Sequence, residues 1–163
     1  MNQIAQQLKE RNIAEYLIYM WQEEDLIRAN HCEPEEMEVN VISRYPEEQR
    51  SGMREWYGNL ITMMNEEGVR EAGHLQINKN VIINLTELHN ALASSPKFPF
   101  YSAAYFKALP FIVELRNKNG KKDEPELETC FEALYGVLLL RLQRKPISEG
   151  TAKAMEAITR FLS

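Results

Sequence analysis

At 163 residues, 44% hydrophobic and 26% charged, the chain has the size and composition of one globular domain with a real core and not those of a disordered segment. Its net charge of −5 argues against a general phosphate-binding surface, so no nucleic-acid partner is expected. No stretch approaches the roughly 18–20 apolar residues that span a bilayer, and MNQIAQQLKERN lacks the apolar core of a secretory signal. Two cysteines, Cys32 and Cys130, make no disulfide framework, so free thiols in a cytoplasmic protein are expected.

In chain order, residues 3–30 carry a helical period, with Ile13, Tyr16, Leu17, Met20, Glu24 and Ile27 on one stripe. Ile4 and Leu8 fall out of phase, which predicts a kink near Arg11–Asn12. The Glu33-Pro34 step ends this helix, because the residue before a proline is pushed out of the α region. Residues 34–43 read as a short helix opened by Pro34, although Met37, Val39 and Val41 also alternate as a strand would. From Pro46, a helix buries Met53, Trp56, Tyr57, Leu60 and Met64, and Gly68 and Gly73 bracket its end.

A helix over 75–93 has Val81, Leu85, Leu88 and Leu92 as its apolar stripe and ends at Ser94-Ser95-Pro96. Over 98–117, Tyr101, Ala104, Tyr105, Ala108 and Ile112 share a face; Pro110 inside this helix predicts a bend. NKNGKKD, residues 117–123, is the clearest loop. The helix at about 125–145 is apolar on nearly every side in its second half, LYGVLLLRL, which marks it as the centre of the fold. A last helix presents a narrow stripe of Ala154, Met155, Ile158 and Leu162. Together these predict an all-α single domain, a largely antiparallel bundle of about six or seven helices around that central helix.

Function should show where polarity intrudes on an apolar stripe. Glu24 does so between Met20 and Ile27, and an unpaired buried carboxylate is costly. Its candidate partners are Arg28, four residues on, and Arg116 and Arg141 from neighbouring helices. Asn78 and His89 lie at one edge of the stripe made by Val81, Leu85 and Leu92. These six residues are the candidate ligand-binding set, set against the plainer reading of an internal ion pair and a hydrogen-bonded core histidine. Tyrosine hydroxyls of FPFYSAAYFKALPF could orient a ligand in a pocket beside the Pro110 bend.

Catalytic and metal motifs are weak. Glu71-x-x-His74 has the spacing of di-iron bundles, but it is a single copy containing Gly73, so no metal or cofactor is expected. Glu128 and Glu132 read as helix-dipole acids facing water, and Cys130 as a structural thiol.

The segments NIAEYLIYMWQEEDLIRA, GHLQINKNVIINLTELH, PFYSAAYFKALPFIVELR and PELETCFEALYGVLLLRLQ together resemble a family of Bacteroidetes all-helical proteins of unknown function. The resemblance covers Asn12 to about Leu142 and implies a cytoplasmic helical protein from that group. It carries no activity, ligand or catalytic residue onto these positions. The expectation is therefore a non-catalytic protein acting through protein–protein contact as a homodimer; the alternative is a small-molecule binder or enzyme.

Overall fold

The computed structural model describes residues 2–163. Among them the fold is all-α, with eight α-helices and no strand, and no helix is long and apolar enough to cross a membrane. The helices group into two compact units, the first running through Val81 and the second comprising Ile82–Ser163.

The first unit contains α1 (Gln3–Arg11), α2 (Ile13–Ala29), α3 (Pro34–Asn40), a 3-10 turn at Ile42–Arg44, α4 (Glu47–Glu66) and the start of α5 (Gln76–Ala93). The expected long first helix is two helices, which brings the count to eight. Asn12 separates them by doing two jobs: its backbone N–H closes α1 on the Leu8 carbonyl, and its side-chain oxygen accepts from the Glu15 N–H at 3.2 Å as the N-cap of α2. The α2 stripe of Tyr16, Leu17, Met20, Glu24 and Ile27 is buried as its period predicts. Residues 34–40 are helix, with proline in the first turn where its missing N–H costs nothing. Met53, Tyr57, Leu60, Ile61 and Met64 are the buried residues of α4, which joins α2 in one apolar cluster.

The stripe of α5 is rotated from the one its leucines suggest. Leu75, Asn78, Ile82 and His89 are buried, whereas Leu88 is exposed. Asn78 and His89 thus stand on the inward face and not at its edge, at helical spacings of three, four and seven residues.

The second unit holds the rest of α5, α6 (Pro99–Asn119), α7 (Glu126–Leu142) and α8 (Glu149–Leu162). Helix α6 packs on α8 and α7 through the predicted face, with Ala108 and Ile112 buried and Tyr101, Ala104 and Tyr105 against the cluster. It runs uninterrupted through Pro110, which is exposed, so the Phe106 carbonyl it frees lies on the solvent side of the helix. It also continues past the expected loop start to Asn119. There Gly120, at φ 69°, takes the left-handed cap that a side chain disfavours and donates its N–H to the Arg116 carbonyl.

Helix α7 is not enclosed on every side. Leu127, Thr129, Cys130, Phe131 and Val137 are buried, but Leu139 and Leu142 are exposed, and so is Arg141. Ser148 caps α8 by accepting from the Thr151 N–H at 3.1 Å, and Met155, Ile158 and Phe161 form its buried stripe.

Candidate functional site

The two units bury polar groups in different ways. In the first, Glu24 is 1% exposed and has found partners other than an arginine. Its Oε1 accepts from His74 Nδ1 at 2.9 Å and its Oε2 from the Leu75 N–H at 2.8 Å. His74 stacks on Trp21 with ring centroids 4.3 Å apart and planes 12° from parallel. Arg28 donates instead to Asp25 at 2.9 Å and to the carbonyls of Val69 and Gly73. Arg28 pairs with Asp25 and not with Glu24, because Glu24 points inward while the half-exposed Asp25 lies one helical step closer to Arg28.

The result is a structural clasp. Carboxylate and guanidinium of α2 both hold the segment between α4 and α5, which would otherwise carry bare backbone groups. Arg116 and Arg141, the other expected partners of Glu24, belong to the second unit: Arg116 donates to the Glu124 carbonyl, and Arg141 is exposed at the end of α7. Asn78 is fully buried, and neither polar atom of its amide has a hydrogen-bond partner among the described residues. Glu23, which periodicity did not single out, is also buried; Trp56 Nε1 donates to it at 3.1 Å, and burial pushes its carboxyl above the usual range.

In the second unit, His89 and Arg116 come together. They line a cleft of about 340 Å³ with Thr86, Asn90, Tyr105 and Glu126. The elements explain the convergence. On α6, Tyr105, Ala108, Ile112 and Arg116 recur on the inward face, and Glu126 is the first residue of α7, where a negative charge suits the helix dipole. His89 is buried, with its Nδ1 2.6 Å from the Tyr101 hydroxyl and its ring edge-on to Tyr105 at 4.7 Å and to Phe161 at 5.5 Å.

Burial lowers the pKa of His89, so the imidazole is neutral near pH 7. Burial raises both phenols to about 12, and the neighbouring Glu126 carboxylate reinforces the effect on Tyr105. Arg116 donates to the Glu124 carbonyl, and among the described residues neither its buried Nε nor the buried Oε2 of Glu126 has a hydrogen-bond partner. A guanidinium and a carboxylate that each keep an unspent polar atom beside an aromatic wall can bind a small polar molecule.

Residues 2–163 match the family model described as Domain of unknown function (DUF4924). The chain belongs to that family. No curated protein and no solved structure matches it. Of the six candidates in the DUF4924 chain, His89 and Arg116 line this cleft and Glu24, Arg28, Asn78 and Arg141 do not, whereas Glu126, outside that set, does. Glu126 opens α7, and the turn at Gly120 brings it back towards Arg116.

A second feature of this unit is an acidic ladder. Carboxylate oxygens of Glu124, Glu128 and Glu132, spaced four residues apart, lie within 4.8 Å of one another. Lys121 Nζ stands 3.8 Å from Glu124 and 3.5 Å from Glu132, and the Thr129 hydroxyl donates to Glu124 at 2.7 Å. Glu128 and Glu132 are thus half-buried, not wholly water-facing. Burial and the adjacent Glu124 hold Glu132 well above the ordinary carboxylate range, at about 7.

Proposed function

We propose that this protein is a non-catalytic binder of a small polar molecule, held in the cleft between α5, α6 and α7. The observation that carries this reading is the convergence of His89, Tyr105, Arg116 and Glu126 on one cleft, with one buried polar atom each of Arg116 and Glu126 unpartnered among the described residues. The cleft volume of about 340 Å³ falls in the range of small-ligand sites, at its lower end. The larger cleft in the first unit, about 410 Å³, is lined largely by exposed side chains such as Gln3, Glu48, Gln49 and Glu55, and gathers no comparable buried set.

A metabolite screen by thermal unfolding tests the reading. A ligand at a hundredfold excess over its Kd stabilises the native state by about 2.7 kcal/mol, and His89→Ala should abolish that shift. A broad screen without any shift overturns it.

Self-association as a homodimer is a second reading, supported by the exposed phenylalanines of α6: Phe100 is 89% and Phe106 64% exposed. Light scattering that gives a monomer across a wide concentration range removes it. Two free, buried cysteines suit a reducing cytoplasm, and the family resemblance suits a Bacteroidetes source.

A further inference from the structure

We infer that the molecule this cleft takes is a zwitterion of amino-acid size, its carboxylate received by Arg116 and its ammonium by Glu126. The inference rests on the binding reading above and names the ligand class. It starts from the charge balance of the lining: one guanidinium, one carboxylate and a neutral imidazole sum to no net charge. An anion would meet Arg116 favourably but Glu126 unfavourably, and a cation the reverse. A molecule bearing both charges satisfies both groups, and charge-assisted hydrogen bonds are roughly twice as strong as neutral ones. An uncharged amide could reach the same two groups, but it would leave each charge desolvated with only a dipole as compensation.

The positions of the two groups support this. Arg116, Glu126 and Tyr105 line the same cleft, and both charged groups act on the Tyr105 phenol, Glu126 raising its pKa and Arg116 lowering it. Among the described residues Arg116 Nε and Glu126 Oε2 have no hydrogen-bond partner, while the rest of each group is anchored, Arg116 on the Glu124 carbonyl and the Glu126 carboxylate on the Tyr105 phenol. Ala93 and Leu127 on the same lining supply apolar surface for a ligand side chain. Two hydroxyls of the rim are already committed, that of Thr86 donating to the Ile82 carbonyl at 2.8 Å and that of Ser94 to the Asn90 carbonyl at 2.7 Å. The charged pair supplies the strongest orienting contacts.

The test is calorimetric titration of the full chain with the common protein amino acids. For each one that binds, the matched amine lacking the carboxylate and the matched acid lacking the amine follow. At least one amino acid should bind, and loss of either charged group should weaken it at least about tenfold. Glu126→Gln should weaken the amino acid and the amine but spare the acid; Arg116→Gln should weaken the amino acid and the acid but spare the amine. The analogue series on the unmodified protein decides the matter even where a variant fails to fold. Binding of an uncharged amide or nucleobase, with no amino acid bound, overturns the zwitterion and leaves the cleft reading standing. A metabolite screen in which nothing binds overturns both.

Discussion

Glu24 tolerates burial because each carboxylate oxygen has its own donor, one from a side chain and one from the backbone. Glu24→Gln keeps the shape but turns an N–H₂ towards one of those donors. It should cost about 2–3 kcal/mol in urea unfolding, whereas Arg141→Ala, at an exposed position, should stay within about 0.5 kcal/mol. An equal loss from both would restore Arg141 as the partner. Asn78 presents the opposite case, a buried amide with no hydrogen-bond partner among the described residues. Asn78→Leu should therefore raise stability by about 1–2 kcal/mol, and a loss would mean that the amide has a role its surroundings do not reveal. The burial of Glu24 was legible from the helical period alone, whereas that of Glu23 was not. Nor were the partners of Glu24: His74 lies fifty residues from it, and its spacing to Glu71 drew attention to a different chemistry.

At the scale of elements, the segment from Glu67 to Leu75 depends on α2 for its shape. Arg28 binds the Val69 and Gly73 carbonyls, Glu24 binds His74 and Leu75, and Arg70 donates to the His31 carbonyl at 2.9 Å. Gly73 is the critical joint. Its φ is 96°, and a Cβ there would approach Val69 Cγ1 to 3.3 Å. Gly73→Ala should lower stability by about 1–2 kcal/mol through the left-handed backbone, and more if His74 is pulled off Glu24; chemical denaturation gives the value, and a neutral result would show the segment to be adaptable. Much of the element order was readable, including the α6 face and the short third helix. The stripe of α5 was misread because periodicity weighs only apolarity, so leucines outranked Asn78 and His89. The division at Asn12 was visible as a phase slip, yet only its double capping shows why the chain restarts there.

For the whole molecule, the pH dependence of stability is set by buried groups pulling in opposite directions. Glu132 and Glu23 have raised pKa values, so the stability tied to their protonated forms is full below about 4.5 and is lost as pH rises through the folded-state value, about 7 for Glu132. His89 has a lowered pKa, so its contribution is full above 6.5 and is lost as pH falls. The two trends oppose each other between about pH 4.5 and pH 6.5. Glu132→Gln isolates one arm of the curve. The amide cannot ionise beside Glu124, so the variant should gain on the parent steadily between about pH 4.5 and pH 8 and show no gain below that window. Thermal unfolding of both proteins across this range measures the difference. A gap that does not change with pH would mean that Lys121, 3.5 Å from Glu132, already compensates its charge in full.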